Sequence, residues 1–164
     1  MLNNLRLENS GLDTVDKAIL VQLTGNARTT IAELARKVKL SAPSVAERIK
    51  RLEDAGIITG YHAAVSPKVL GLPLSVWFRI RPVPGKMQQV AGIIQGIPEI
   101  TACDRITGED CFLARGHFKS VEHLERVIDL LVPYAMTNTS IIQSSPVKER
   151  LPMFADSNGK RHSS

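Results

Sequence analysis

The sequence predicts an α+β protein of two parts, three short helices followed by a βαββαβ unit. Three observations point there. Apolar residues recur at helical spacing as far as about residue 56, a Ser66-Pro67, Gly71 and Pro73 cluster then interrupts the pattern, and strict alternation begins at Leu74. A chain of 164 residues suits one domain or two small ones. Its composition, 43% apolar and 23% charged, is close to globular averages and argues against wholesale disorder. No apolar run approaches the ~20 residues that a membrane helix needs. Residues 1–11 lack the basic start and apolar core of a secretory signal. The expected location is therefore the cytoplasm, with no membrane partner.

The first helix runs from Leu12 to Leu23, with Asp13 as N-cap, Asp16 placing negative charge in the first turn, and Leu12, Val15, Ile19 and Leu23 on one face. Gly25-Asn26 stops it. Thr30 and Glu33 form a capping box for the second helix, whose apolar side is Ile31, Leu34, Ala35 and Val38. Ser41 caps the third, and Pro43 falls in its first turn, where a missing N–H costs nothing. Val45, Ile49 and Leu52 form its buried stripe, and Gly56 suits a left-handed terminus. Short helices separated by a turn at about Lys37–Leu40 make a helix-turn-helix. Ile57–Val65, with Gly60 inside, reads as a short β ribbon, giving the winged variant.

Beyond the connector, Leu74, Val76, Phe78 and Ile80 share one face of a strand ending at Arg81, with Ser75, Trp77 and Arg79 on the other. A helix follows from Lys86 to Ile97. Strands at Glu99–Thr107 and Cys111–Phe118 flank a turn at Gly108-Glu109-Asp110. Ser120 caps a helix that runs to Leu131, and a last strand covers about Thr137–Ser144. The order βαββαβ is ferredoxin-like, an antiparallel sheet with both helices on one face. The strands carry apolar residues on both sides (Trp77 beside Phe78, Ile141 beside Ile142), whereas a sheet wet on one side alternates cleanly. The uncovered face is therefore expected to pack on a second subunit. The expected boundaries are an extension at 1–11, the winged helix-turn-helix at 12–65, a linker at 66–73, the ferredoxin-like domain at 74–150 and a flexible tail at 151–164.

Net charge is +5, and all of the excess lies between Arg28 and Arg51, where seven basic residues face two acids. The rest of the chain is balanced. A localised excess of this kind suits a polyanion such as double-stranded DNA, although a solvated helix surface looks the same in sequence. In a helix-turn-helix the second helix of the pair enters the major groove with its N-terminal residues against base edges. Here those are Ala42, Pro43, Ser44 and Glu47, after Ser41 as cap and a further DNA-binding candidate, and Glu47 can accept from a cytosine amino group. Arg48 and Arg51 share a face expected to approach the duplex, and Lys50 reaches a flanking phosphate. Arg28, Arg36, Lys37 and Lys39 are further phosphate candidates. The alternative for Arg48 is an internal pair with a carboxylate such as Glu33. For Glu47 the alternative is repulsion of non-specific DNA.

Two cysteines, Cys103 and Cys111, cannot build a disulfide framework and read as buried structural thiols. No Gly-rich phosphate loop, metal-ligand spacing or catalytic constellation stands out, and His62, His117, His123 and His162 are scattered. The chain reads as no enzyme, with no cofactor and no metal.

The pattern Leu12-Asp13, Asp16, Ile19-Leu20, then Leu34-Ala35, Leu40-Ser41, Val45, Arg48-Ile49, Leu52-Glu53 and Gly56-Ile57-Ile58 is joined by Tyr61, Leu70-Gly71 and Thr107-Gly108. In this order, over about residues 12–150, it resembles the leucine-responsive regulator / asparagine regulator (Lrp/AsnC) family of prokaryotic transcription factors. The resemblance implies a DNA-binding N-terminal domain. It also implies a C-terminal domain that forms homodimers, assembles them into tetramers or octamers, and senses an amino acid. The effector would meet Thr107, Gly108, Glu109 and Asp110 of the hairpin turn, completed by Tyr134, Thr137 and Thr139 of another chain. Two positions depart from the family. Lys39 stands where Gly is usual, and Cys111 stands at the Asp of a Gly-x-x-Asp loop. Alternatives to an effector-sensing regulator are an architectural DNA-binding protein without effector and a small ferredoxin-like enzyme.

Overall fold

The computed structural model describes residues 11–154, so residues 1–10 of the expected extension and 155–164 of the expected tail, with His162, lie outside the described residues. The chain divides into two compact units: one joins the residues up to Ala63 to the segment from Lys148 onward, and the other is Ala64–Val147.

In the first unit, α1 (Thr14–Gly25), α2 (Ile31–Val38) and α3 (Ala42–Asp54) start at the expected caps Asp13, Thr30 and Ser41. Each cap oxygen accepts an amide of its first turn, satisfying donors that the helix itself leaves unpaired. Ile19, Leu20, Leu23, Leu34, Ala35, Val45, Ile49 and Leu52 form the core. Gly56 has φ 67°, and the amides of Ile57 and Ile58 both donate to the Leu52 carbonyl, at 2.9 and 3.0 Å. That wrap ends α3. The expected ribbon at 57–65 does not form: no strand lies in this stretch, and among the described residues none of the strands pairs with it.

The returning segment completes this core. Leu151 and Phe154 pack against it beside Leu12, Val15 and Ile58, and the Lys17 ammonium sits 5.5 Å from the Phe154 ring centroid. Residues 148–154, read from sequence as the end of the sheet domain and the start of a flexible tail, thus belong with the helices. Deleting 148–164 is expected to destabilise the helical unit by about 2 kcal/mol, the scale for removing two half-buried apolar side chains. Urea unfolding followed by helical circular dichroism would measure it.

In the second unit, a 3₁₀ turn at Pro67–Leu70 precedes β1 (Leu74–Pro82), α4 (Met87–Gln95), β2 (Ile100–Arg105), β3 (Phe112–Phe118), α5 (Val121–Leu131) and β4 (Ala135–Ile141). The sheet order is β2-β3-β1-β4, antiparallel throughout, with Phe78 of β1 opposite Ala114 on one side and Thr139 on the other. Val76, Phe78, Ile80, Phe112, Ala114 and Phe118 face Val90, Ile94, Leu124, Val127 and Leu131 of the helices. Gly116 is required there, because a Cβ would lie 2.8 Å from the Phe118 ring. The last strand starts two residues earlier than expected, and Cys103 is exposed on the edge strand β2 rather than buried. His117 is 7% exposed, with Nδ1 2.9 Å from the Ser75 hydroxyl, and burial pushes its pKa down.

The face away from the helices carries Trp77, Arg79 and Arg81 of β1, Leu113 and Arg115 of β3, and Met136 and Asn138 of β4, by alternation with the buried set. Arg115 lies 5.9 Å from the Trp77 ring, yet its buried Nε has no hydrogen-bond partner. The face is therefore mixed in character, with aromatic and aliphatic side chains interleaved with three arginines.

Candidate nucleic-acid interface and sensor turn

The turn between α2 and α3 is set by two local devices. Thr30 and Glu33 close their capping box, with the Glu33 amide donating to Thr30 Oγ1 at 3.2 Å and Glu33 Oε2 accepting the Thr30 amide at 2.9 Å. Those Thr30 bonds hold the Glu33 carboxyl below its ordinary pKa. Lys39 then takes the left-handed conformation, φ 57° and ψ 44°, and its amide donates back to the Ala35 carbonyl. A side chain in that region costs about 1 kcal/mol relative to glycine. Lys39→Gly is therefore expected to raise unfolding stability by about that amount in urea titration, while weakening DNA binding through loss of a charge.

Ser41 spends its hydroxyl on the cap, accepting the Ser44 amide at 3.3 Å and meeting Ser44 Oγ at 2.8 Å. Along α3, Ser44, Glu47, Lys50 and Asp54 are exposed, and with Arg48 and Arg51 they line one open groove. Ala42 and Pro43 are exposed at the start of the helix. Arg28, Arg36, Lys37 and Lys39 are also exposed, with Lys37 donating to Gln22. The structure thus gathers the base-reading candidates on one outward face of α3.

Arg48 is a correction. Its Nη1 lies 2.6 Å from Asp13 Oδ2 and 2.8 Å from Asp16 Oδ1, so it faces α1 rather than outward. Arg51 Nη2 bonds the other Asp16 oxygen at 2.7 Å. The internal pairing anticipated for Arg48 exists, but with Asp13 and Asp16 and not with Glu33, which its own capping box engages. Asp16 is fully buried, whereas Arg51 remains 59% exposed, which leaves it able to reach outward. Asp13 is held below its ordinary pKa by the Asp16 amide and by Arg48, and the two carboxylates push Arg48 up. Sequence reading placed Asp13 and Asp16 only as caps. The signal was their three-residue spacing, matched by Arg48 and Arg51 on the other helix.

At one end of the sheet, Gly108 has φ 115° within the β2–β3 connection, and the Cys111 amide donates to the Ile80 carbonyl at 3.0 Å. That bond brings Glu109 and Asp110 against Arg81, whose Nη2 pairs with Glu109 and whose Nε is 3.9 Å from Asp110. Arg81 was not among the candidates from sequence, where it read only as the end of an alternating strand. Tyr134 comes to the same end, its carbonyl accepting the Val83 amide at 2.9 Å and Lys86 lying 5.9 Å from its ring. Thr137 is opposite Ile80, on the helix side of the sheet, and Thr139 lies two residues further along β4. Among the described residues no cluster of His, Cys, Asp and Glu could hold a metal, and no helix is long and apolar enough to cross a membrane.

These features have counterparts in known proteins. Residues 12–59 match the family model for winged helix-turn-helix DNA-binding domains, and residues 75–152 match the Lrp/AsnC ligand binding domain. The HTH-type transcriptional regulator LrpC of Bacillus subtilis is 38% identical over 81% of this chain and 92% of its own length. The regulatory protein AsnC of Escherichia coli is 31% identical over 86% of this chain and 96% of its own. The solved structure of B. subtilis LrpC superposes with a TM-score of 0.80 at 37% identity, covering 84% of this chain and 99% of that one. A transcriptional regulator of Neisseria meningitidis, solved as a complex with L-Met, superposes at 0.79 with 31% identity over 86% of this chain and 96% of its own. Helix-turn-helix, ligand-binding domain and regulator relatives converge over most of the sequence, and the chain belongs to the Lrp/AsnC family, a DNA-binding transcriptional regulator rather than an enzyme.

Proposed function

We propose that α3 enters the major groove of an operator with Ser44 and Glu47 toward base edges. Arg28, Arg36, Lys37, Lys39, Lys50 and the exposed part of Arg51 meet phosphates. The observation that carries this reading is the outward face of α3, where Ser44, Glu47 and Lys50 stand exposed while Arg48 is turned inward against Asp13 and Asp16. Arg48 acts in positioning, holding α3 on α1 rather than touching DNA.

Two copies join through the open face of the sheet around Trp77 and Leu113, short of the Arg81 and Met136 end, and the unsatisfied Arg115 Nε finds an acceptor there. Such homodimers assemble further into tetramers or octamers. Pairing makes the second DNA contact intramolecular, which raises affinity without new contacts and favours a partly palindromic operator. An amino acid binds at the turn 107–110, completed by Tyr134, Thr137 and Thr139 of another chain; the N. meningitidis relative was solved as a complex with L-Met. It regulates by binding one assembly or DNA-bound geometry better than another. The protein works in the cytoplasm, where the DNA is.

Sedimentation of the purified protein and footprinting upstream of its own gene, with and without each amino acid, test this reading. A dimer or larger assembly that protects a pseudo-palindrome is the expected result. A monomer, or no protection at low salt, would overturn it. Protection indifferent to every amino acid would instead support the architectural reading.

A further inference from the structure

We propose that Arg81 is the carboxylate seat of the effector site, and that Glu109 occupies the seat when no ligand is present. The proposal rests on the effector reading above and adds to it the residue that recognises the ligand and the group that competes with it. Arg81 closes β1 on the face away from the helices, next to the turn that Cys111 ties to Ile80. Its guanidinium receives Glu109 through Nη2 and has Asp110 close to Nε, so the chain already presents an anion to the planar fork that matches a carboxylate bidentately.

The two acids are not equivalent. Glu109 is 87% exposed, and a pair of that kind contributes little to stability, so a ligand carboxylate can displace it. Asp110 is 29% exposed and lies beyond ordinary hydrogen-bond range of Arg81. It is placed to accept the ammonium group of the same ligand. Met136, the cross-strand neighbour of Arg81, is 69% exposed and Val83 is 40% exposed, which offers an apolar surface to a side chain. The ligand class is therefore a zwitterionic α-amino acid with an apolar side chain. Asp110 also makes up for the Asp that Cys111 replaces, from the preceding position of the turn.

The test is calorimetric titration of the full chain with each of the twenty L-amino acids, then with the carboxamide of any that binds. Arg81→Gln is expected to weaken the amino acid at least tenfold. The carboxamide should bind the unaltered protein just as weakly, and Arg81→Gln should weaken it no further. Glu109→Gln is expected to tighten binding about threefold, and Asp110→Asn to weaken it at least fivefold. Arg81→Lys should recover only part of the loss, and the thermal melt of each variant shows that it is folded. Equal affinity of the unaltered protein and Arg81→Gln would overturn the role of Arg81 while leaving the effector site standing. Weaker binding by Glu109→Gln would overturn the competition. Absence of binding by both the unaltered protein and Glu109→Gln would overturn the effector reading itself, and this proposal with it.

Discussion

Asp16→Ala is expected to destabilise the helical unit by about 3 kcal/mol and to abolish operator binding at protein concentrations where the unaltered chain saturates it. The stability figure is the lower end of the roughly 3–5 kcal/mol lost when a buried ion pair is broken. The lower end applies because the arginines left behind are partly hydrated, Arg48 at 27% and Arg51 at 59% exposure. The buried carboxylate joins three things at once: it grips two turns of α3, and its Oδ2 accepts the Asp13 amide that opens α1. Without it α3 keeps its apolar stripe but loses its rotational setting, so the side chains proposed to read bases are expected no longer to arrive together. Urea unfolding and fluorescence anisotropy on a labelled duplex separate the two effects. Asp16→Asn, which keeps the shape and loses the charge, should fall between the two proteins. Acid has a related effect through Asp13. Its carboxyl pKa lies below the ordinary value, so the stability it supplies is complete above about pH 4 and is lost as pH falls through its lowered folded value.

DNA affinity is expected to fall about a thousandfold when salt rises from 50 to 200 mM, if about six phosphates are neutralised by the assembled protein, since the log–log slope is about −0.9 per phosphate. Arg28, Arg36, Lys37, Lys39, Lys50 and Arg51 give each copy six exposed cations, so two copies reach that number with half of them engaged. Lys50→Gln should reduce the slope by about one for each copy bound. Arg48→Gln should leave the slope unchanged while lowering stability, because that guanidinium already faces two carboxylates. Anisotropy titrations across a potassium chloride series read both quantities. A slope that falls equally for the two variants would return Arg48 to the DNA surface.

What sequence could show follows the range of each interaction. Caps are local, and Asp13, Thr30, Ser41 and Ser120 all start helices where their neighbours indicated. The Lys39 departure was equally local, and its left-handed backbone is what a glycine position demands. The Asp16–Arg48 and Asp16–Arg51 bonds span more than thirty residues, and nothing at either end alone announces a partner. The same holds for Arg81 and Glu109, 28 residues apart. The ribbon at 57–65 failed for a different reason: β-branched residues signal a strand's composition, but a strand also needs an edge to pair with. Cys103 was misjudged because strand β2 lies at the sheet's edge, where apolar composition does not ensure burial.

The route of the chain through its two units also bears on the order in which they mature on the ribosome. Leu151 and Phe154 are synthesised after the whole of the sheet, yet they close a hydrophobic interior whose other walls emerge before it. The helical unit therefore reaches full stability only after the whole sheet has been made, so a nascent chain is expected to bind operators more weakly than the finished protein.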